Sequence, residues 1–512
     1  MGQLLGQHLY PTNYPWNQDI SAAPVAANSG TIISNIGTTV RVHPDWGEDS
    51  ASNGASPLYG IPFNVVHGNS TAKINVVIDN YPGESDIVAA PIQANVVIEG
   101  DYQNGPNANG PGYGVNQRGD SHLIVWDEDN NIGYEFYEAT RPSDPQLFDG
   151  TAHTDGKWHA ASETVWNFNT NQFRPLGYTS ADAAGLSILA GLARPDEGLT
   201  VAQGGQGAIN HALRLTLPPS IISSHYIYPA SHIVTKPGIV PMGARFRLKS
   251  NTTVSNLIAQ MGPQAQNVAH AMQKYGLIVA DVGSAMYVTG ASGSVNASNQ
   301  LSLVWNMNDI LGSTGLQSLH AGDFEVVNLT PVVTGLSVSN GAAGGTLTIS
   351  GQNFSGAAGQ LSVFFGTNAA SGVTVLSDTQ ISVTIPSGTG AVDVKVQSGR
   401  NEPDTNDGPG ANLNEPIFGY GTSAVVAADK FTYSLATPSI QSARIIAGNI
   451  VVRGTNNSGP GGTYSVLSAS NVTLPRSNWT VVTNGSFDVS GNFSFSNAIL
   501  PGAKAFYLLR VP

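Results

Sequence analysis

The 512-residue sequence contains no cysteine, which excludes disulfide bonds, thiolate metal ligands and a cysteine nucleophile. Charged residues make up only 11% of the chain, against about 25% in a typical soluble protein. The 21 basic residues form no cluster and are outnumbered by 34 acidic ones, so we expect neither nucleic acid nor an anionic membrane as a partner. No run of about 18 apolar residues is present, so the sequence predicts no membrane insertion.

The chain is rich instead in turn-forming residues, with 59 glycines and 30 prolines that interrupt short apolar segments. This pattern is typical of a mainly β protein, and the 41% hydrophobic content is sufficient to form buried cores. A cysteine-free chain of this kind is compatible with an exported bacterial protein, so we predict a secreted, extracellular location. Residues 1–5 lack the basic start and apolar run of a signal peptide, and we expect a mature form with an added Met.

Residues 118–138 concentrate one histidine and six carboxylates in one predicted hairpin. His122–Trp126 and Ile132–Tyr137 are rich in β-branched and aromatic residues, and Asp127–Asn131 between them has the composition of a turn. Strand alternation places His122, Ile124 and Trp126 on one face of the first strand. We interpret this hairpin as the floor of an active site.

Other segments before residue 330 predict short strands, among them Thr31–Ile36, Phe63–Val66 and Leu277–Ser284. The one helix candidate is Val254–Tyr275, with Pro263 starting its second half. We therefore predict a first domain, 1–330, that is a β-sandwich or jelly-roll-like structure with one covering helix. Its sequence resembles a group of secreted bacterial proteins of environmental origin, and this resemblance supplies no mechanism. The resemblance rests on Asp120-Ser-His122, Ser180-Ala-Asp182, Arg245-Phe-Arg247 and the run Tyr275–Asp281.

From residue 331 onward short strands recur at roughly 8–12-residue spacing, which predicts a β-sandwich. Gly345–Ser355, Leu361–Thr367 and Val375–Pro386 resemble the IPT/TIG immunoglobulin-like family, and the resemblance covers 331–433. It implies a spacer or binding module at 331–435, with Asn401–Tyr420 as an inserted loop. Residues 436–512 contain further strand-like runs, including Ile445–Val452, and resemble the small C-terminal β-modules of secreted bacterial proteins.

Paired carboxylates are the main candidates for chemistry in the first domain. Glycoside hydrolysis needs one carboxylate kept protonated by an apolar environment and a second one ionised. We predict Glu135 and Asp281 as the acid/base pair, Asp182 as a third candidate, and His122 or Arg245 as assisting groups. Aromatic side chains for stacking on sugar rings are also available: Trp46, Trp126, Tyr134, Trp158 and Trp166. The alternative interpretation is that these acids form turns and ion pairs with arginines.

A metal site is a second possibility in the same hairpin. Asp127-x-Asp129-x-Asn131 offers the clustered oxygen atoms that Ca²⁺ prefers. The sixth position is Ile132 where an EF-hand needs glycine, and strands flank the loop, so the spacing predicts at most a structural Ca²⁺ and no required cofactor. The histidines 43, 122, 211 and 232 show no spacing typical of metal ligands and are expected to form hydrogen bonds instead.

Two other functions remain open beside hydrolysis. A polysaccharide lyase would use His122 or Tyr134 as the base, with Arg245 or Arg247 neutralising a uronic acid. A non-catalytic carbohydrate-binding or cell-surface adhesion protein needs none of this chemistry. No Gly-x-Ser-x-Gly motif is present, so a serine hydrolase is not expected, and the tripeptide Arg118-Gly-Asp120 is common by chance. The leading prediction is a secreted polysaccharide-degrading enzyme, a glycoside hydrolase whose partner is a polysaccharide.

Overall fold

The computed structural model describes residues 1–48, 58–101, 120–143, 153–234, 236–291, 293–355, 361–398, 421–434, 438–456, 462–499, 502 and 504–511. The predicted insertion Asn401–Tyr420 and the first two residues of the Arg118-Gly-Asp120 tripeptide lie outside these ranges. Two compact units are present, one containing Met1–Thr330 and the other containing Pro331–Phe354, Leu361–Ser398 and Thr422–Pro512. The prediction of a mainly β chain is confirmed. Within the described residues, no helix is long and apolar enough to cross a membrane.

The first unit consists of short strands connected by turns and by a few helices. Its strands are β1 (Gln3–Leu4), β2 (Gln7–His8), β3 (His43–Asp45), β4 (Gly47–Glu48), β5 (Leu58–Tyr59), β6 (Phe63–Val66), β7 (Lys73–Ile74), β8 (Val76–Ile78), β9 (Ala90–Pro91), β10 (Leu123–Asp127), β11 (Ile132–Tyr137), β12 (Trp158–Ala160), β13 (Ser162–Asn167), β14 (Leu213–Leu217), β15 (Ile222–Tyr226), β16 (Val240–Met242), β17 (Arg245–Leu248), β18 (Leu277–Val282), β19 (Tyr287–Thr289), β20 (Gly293–Val295), β21 (Leu301–Val304) and β22 (Phe324–Val326). Its α-helices are α1 (Ser29–Ile36), α2 (Ile188–Gly191), α3 (Pro195–Gly198), α4 (Thr252–Ile258), α5 (Pro263–Lys274) and α6 (Met307–Ile310).

Two larger sheets organise this unit. One has the strand order β13-β11-β10-β6, and the other has the order β22-β17-β18-β14-β19-β3. The predicted hairpin is confirmed, because β10 pairs antiparallel with β11 and Ile124 lies opposite Glu135. In the second sheet β14 and β18 are parallel, and Thr216 lies opposite Asp281.

Both faces of β10 are buried. Ile124 and Trp126 belong to the large core of the unit, whereas Leu123 and Val125 belong to a second cluster. The predicted alternation is therefore correct for these residues, but neither face of the strand is exposed to water. This arrangement brings the polar residues of the hairpin into contact with packed elements on both sides.

Two helical segments differ from the prediction. Thr31–Ile36 was expected to be a strand, yet Ser29–Ile36 forms α1, because Ile32, Ile33 and Ile36 bury one helical face. Tertiary packing here outweighs the strand preference of β-branched residues. The segment 254–275 is helical as predicted, but it divides into α4 and α5, and Pro263 starts the second helix. The unit therefore contains more than one helix.

Within the described residues, the strands of the second unit form four sheets. Its strands are β23 (Val332–Leu336), β24 (Asn340–Gly341), β25 (Thr346–Gln352), β26 (Leu361–Phe365), β27 (Asn368–Ala369), β28 (Ser371–Ser377), β29 (Gln380–Thr384), β30 (Ala391–Ser398), β31 (Lys430–Tyr433), β32 (Ser439–Ile446), β33 (Asn449–Thr455), β34 (Thr463–Ala469), β35 (Thr480–Ser486), β36 (Asn492–Ala498) and β37 (Phe506–Arg510). The sheet orders are β23-β25-β29-β28, β24-β31-β30-β26-β27, β32-β33-β36 and β35-β34-β37. The predicted strand Ile445–Val452 is instead the end of β32, a turn, and the start of β33, because Ala447 and Gly448 both have positive φ.

Candidate functional site

A cleft of about 420 Å³ lies in the first unit, at the end of the β10–β11 hairpin and beside the end of β18. Two carboxylates, two phenols and one imidazole line it: Asp120, Asp281, Tyr81, Tyr137 and His232. Asp120 precedes β10, and its carbonyl accepts a hydrogen bond from the N–H of Glu138 at 3.0 Å. The backbone of the hairpin therefore fixes Asp120 next to the end of β11.

Asp281 shares a buried arginine with Asp182. Nε of Arg214 donates to Oδ2 of Asp182 at 2.8 Å, and Nη2 of Arg214 lies 3.8 Å from Oδ2 of Asp281. Burial raises the pKa of Asp281 to about 7; the charge of Asp182 acts in the same direction and Arg214 opposes it. Asp281 retains 23% side-chain exposure toward the cleft. The sequence-predicted residues Asp182 and Asp281 are thus brought together, with Asp281 able to hold a proton near neutral pH.

His122 lies directly beneath the cleft wall. Its Nδ1 is 2.7 Å from Oε2 of Glu99, and its Nε2 is 3.1 Å from the carbonyl of Ala181, a lining residue. Burial opposes a charged imidazole, but the carboxylate of Glu99 outweighs it and raises the pKa of His122 to about 9. His122 therefore adds a fixed positive charge behind the cleft.

Tyr137 is the phenol packed against His122, with ring centroids 5.7 Å apart. Burial raises the pKa of Tyr137, and the charges of Asp120 and Glu138 raise it further. Its hydroxyl therefore keeps its proton and acts in the cleft as a neutral hydrogen-bonding group.

Glu135, the other half of the predicted pair, lies away from the cleft. Its carboxylate accepts four hydrogen bonds, from Nε1 of Trp166, the hydroxyl of Ser187 and the N–H groups of Ile188 and Leu189, at 2.8–3.0 Å. The side chain is fully buried. Burial raises the pKa of Glu135, and the four donors oppose this shift. These contacts make Glu135 the anchor that joins β11 to the start of α2.

Arg245 also lies away from the cleft. Its guanidinium donates to the carbonyls of Tyr275, Pro15 and Gln18 in the interior. Arg247 pairs with Glu325 and with backbone carbonyls near Ile20. The alternation of the sequence placed both arginines on one face, but every residue of β17 is buried, so neither offers a cation to a ligand in the cleft.

The five aromatic residues predicted to stack on sugars are all buried, with 0–9% exposure. Trp46 packs against Trp305, and the indole N–H of Trp126 donates to Oδ1 of Asn131 at 3.0 Å. Tyr134 and Trp158 belong to the second hydrophobic cluster of the unit. These side chains are large and mostly apolar, and they pack in the protein interior. Tyr81 and Tyr137 are the tyrosines among the described residues that line the cleft.

The oxygen atoms of the predicted calcium ligands accept hydrogen bonds from protein groups. Oδ1 of Asp127 accepts the N–H groups of Gly68 and Asp129 at 2.9 and 3.0 Å, and a Cβ added at Gly68 would overlap this carboxylate. Oδ1 of Asn131 is bound to the indole of Trp126. The oxygen atoms of this turn therefore have protein donors, and a structural Ca²⁺ there stays a prediction.

Sequence reasoning missed part of the cleft. Asp120 was set aside as one residue of a common tripeptide, although its position next to His122 was visible. Asp45, which is not among the described residues that line the cleft, was not predicted as a site residue; burial and then the charge of Glu99 raise its pKa to about 6. Glu99 itself lies 23 residues before His122 in a segment without regular structure, and no local pattern indicates that the two side chains meet.

Comparison with known proteins identifies one part of the chain. Residues 331–412 match the IPT/TIG domain. They form an IPT/TIG domain. This finding confirms the resemblance found in the sequence and covers the sandwich strands β23 to β30. No curated protein matches the chain.

Solved structures give weaker likenesses. An auxiliary nutrient binding protein from Bacteroides thetaiotaomicron is 14% identical, with 34% of this chain and 39% of that chain covered and a TM-score of 0.16. A gamma-CGTase from Alkalophilic bacillus clarkii is 15% identical, with 37% of this chain and 27% of that chain covered and a TM-score of 0.16. SGBP-B from a complex xyloglucan utilization locus in Bacteroides uniformis is 12% identical, with 35% of this chain and 65% of that chain covered and a TM-score of 0.15. This chain thus spans less than two thirds of each, and such low values carry no argument about its activity.

Proposed function

We propose that the first unit is a glycoside hydrolase acting on a polysaccharide, with Asp281 as general acid and Asp120 as the second carboxylate. The observation that carries the proposal is the cleft itself, because it brings together two carboxylates in different environments. Asp120 is exposed, whereas Asp281 lies beside Asp182 and has a pKa of about 7. Such a difference is the usual basis for dividing acid and nucleophile or base roles between two carboxylates.

The proposed mechanism needs a proton on Asp281. That carboxyl donates the proton to the departing glycosidic oxygen while Asp120 acts on the opposite side of the sugar ring, directly or through a water molecule. Asp182 and Arg214 act as positioning residues, since the charge of Asp182 supports protonation of Asp281 and Arg214 orients both side chains. Because the acid must be protonated, we expect the rate to decline as the pH rises through about 7.

A non-catalytic carbohydrate-binding role is the second candidate, and one observation favours it. The Asp182–Arg214–Asp281 cluster is also a buried ion-pair network, and such networks occur without catalysis. The presence of an IPT/TIG domain suits either role. The lyase hypothesis has less support, because no arginine or lysine is found among the described residues that line the cleft.

Reducing-end assays on plant, algal and microbial polysaccharides test the proposal. Wild-type protein should release reducing ends without unsaturated products, and Asp281→Asn should lower the rate by about 10²–10⁴-fold. Asp19→Asn is the matched control, since Asp19 is an exposed carboxylate of the same unit. Loss of activity in Asp281→Asn with normal activity in the control supports hydrolysis. Binding of a polysaccharide with no cleavage by the wild type would support the carbohydrate-binding role instead.

A further inference from the structure

A second group of titratable side chains lies where β8 and β12 run parallel, and none of them lines the cleft. Asp79 follows β8 directly, and its N–H donates to the carbonyl of Ala160 at 2.9 Å. His159 is the middle residue of β12 and exchanges two backbone hydrogen bonds with Thr140, at 2.9 and 3.1 Å. Backbone pairing therefore holds Asp79 and His159 side by side.

His153 completes the group. Its Nε2 lies 3.6 Å from Oδ2 of Asp79, and Nδ1 of His159 lies 3.0 Å from the same oxygen. One potential ligand atom from each of the three residues lies within 4.8 Å of the other two. Zinc–ligand bonds of 2.0–2.2 Å in a tetrahedral site would separate such atoms by roughly 3.3 Å. The two distances to Asp79, 3.6 and 3.0 Å, are close to this value. The two rings are stacked, so one of them must turn before both nitrogen lone pairs point at a single ion.

The rings of the two histidines lie next to each other beside Asp79. The rings of His153 and His159 are stacked, with centroids 3.5 Å apart and planes 22° from parallel. Nε2 of His153 is buried and has no hydrogen-bond partner among the residues that the structure describes. A metal ion would use the lone pairs of both rings and the Asp79 oxygen.

The surroundings match those of known metal-binding histidines. The second nitrogen of His159, Nε2, lies 3.0 Å from Oδ1 of Asp155. Metal-bound histidines commonly have a carboxylate on the ring nitrogen that does not bind the metal, which fixes the tautomer and the ring orientation. Oδ1 of Asp155 is itself held by the N–H of Lys157 at 3.1 Å. The other carboxylate oxygen of Asp155, Oδ2, lies 3.4 Å from Nζ of Lys157.

We propose that Asp79, His153 and His159 bind one divalent transition-metal ion, with Asp155 orienting His159. Zn²⁺ fits two nitrogen ligands and one oxygen ligand, whereas Ca²⁺ requires more oxygen atoms. The fourth position of a tetrahedral site remains available to water. This site is independent of the glycosidase proposal, because it uses none of the residues that line the cleft.

Titration calorimetry of the full-length, EDTA-treated protein with ZnCl₂ tests the proposal. We expect one site, a rise in melting temperature on Zn²⁺ addition and no comparable rise with CaCl₂. Asp155→Asn should weaken Zn²⁺ binding by about 10–100-fold. His153→Ala should abolish the site; this residue lies outside the regular strands, so the variant is expected to fold, which circular dichroism checks.

His67→Ala is the matched control. His67 is also an imidazole beside two carboxylates, Glu128 at 2.9 Å and Asp129 at 3.3 Å, but it is half exposed and belongs to no three-ligand group among the described residues. Zinc binding that survives in His67→Ala and disappears in His153→Ala supports the proposal. Failure of the wild type to bind Zn²⁺, or equal binding by folded His153→Ala, would overturn it.

Discussion

The surroundings of Glu135 and the cleft around Asp281 show two ways in which this protein withdraws a carboxylate from water. Glu135 is fully buried, and four donors satisfy both of its oxygens. Asp281 keeps one edge exposed and shares the guanidinium of Arg214 with Asp182, at the longer distance of 3.8 Å. The first arrangement fixes the backbone, whereas the second leaves a carboxyl whose proton is exchangeable near neutral pH.

This difference shows that burial has a different consequence in the two environments. Burial raises the pKa of both carboxyl groups. At Glu135 four donors oppose the shift and hold the carboxylate in one geometry, whereas at Asp281 the charge of Asp182 adds to the shift. The number of donors and the sign of the nearest charge therefore distinguish the two environments.

The largest expected effect is that of Glu135→Ala on stability. The substitution leaves the buried donors of Trp166, Ser187, Ile188 and Leu189 without an acceptor, and each unsatisfied donor costs about 1–3 kcal/mol. We expect the free energy of unfolding to fall by about 3 kcal/mol or more, measured by urea titration with tryptophan fluorescence. A variant that is as stable as the wild type but has lost activity would contradict this expectation and support a catalytic role for Glu135.

Asp281→Asn should have the opposite effect on stability at high pH. Folding raises the pKa of Asp281 from 3.8 to about 7, so its ionisation opposes folding. In the wild type the stability that comes from the protonated Asp281 carboxyl is fully present below about pH 4 and is lost as the pH rises to about 7. We expect similar urea midpoints near pH 4, and near pH 8 a variant more stable by on the order of 1–2 kcal/mol. A midpoint difference that does not change with pH would contradict this assignment.

Glu99→Gln tests the charge behind the cleft. The pKa of His122 is raised from 6.5 to about 9, so its pairing with Glu99 stabilises the fold below about pH 6.5 and is lost as the pH rises through 9. We expect the variant to lose on the order of 1–2 kcal/mol near pH 6 and almost nothing near pH 10. An NMR titration of the His122 ring should show a lower pKa in the variant, and an unchanged titration would exclude Glu99 as the cause.

The smallest effect is expected for Asp129→Ala at the hairpin turn. Its carboxylate is partly exposed and accepts the N–H of Asn69 at 3.0 Å beside His67. Water screens exposed pairs of this kind, so the melting temperature should change little. Because the oxygens of Asp127 and Asn131 already have donors, CaCl₂ should raise the melting temperature of neither the wild type nor the variant. A Ca²⁺-dependent rise in the wild type alone would support the structural calcium site.

The sequence predicted local pairing better than it predicted exposure. The β10–β11 hairpin and the IPT/TIG strands follow from composition and alternation, which depend on neighbouring residues. Alternation also assigned Ile124 and Leu123 to opposite faces correctly. It does not reveal that both faces are covered, since that depends on segments far away in the chain.

The dependence on distant segments also explains why the sequence located only part of the candidate site. Asp182 and Asp281 meet through Arg214, and this contact requires the parallel pairing of β14 with β18, which no local pattern specifies. Glu135 is also a carboxylate and lies in a strand, as Asp281 does, but its partners in α2 lie about fifty positions later in the sequence. Its structural role was therefore not distinguishable from a catalytic one by sequence alone.

The burial of both faces of β10 also limits the local opening of the hairpin beside the cleft. Separating this strand from either neighbour exposes two hydrophobic clusters at once, so local opening of the hairpin requires nearly the free energy of global unfolding. The amide hydrogens of Val125 and Tyr134 should therefore be among the slowest to exchange in the first unit. Tyr137 is the last residue of β11 and Asp120 is bonded through its carbonyl to the N–H of Glu138, so a ligand in the cleft would meet these two residues in a nearly fixed arrangement.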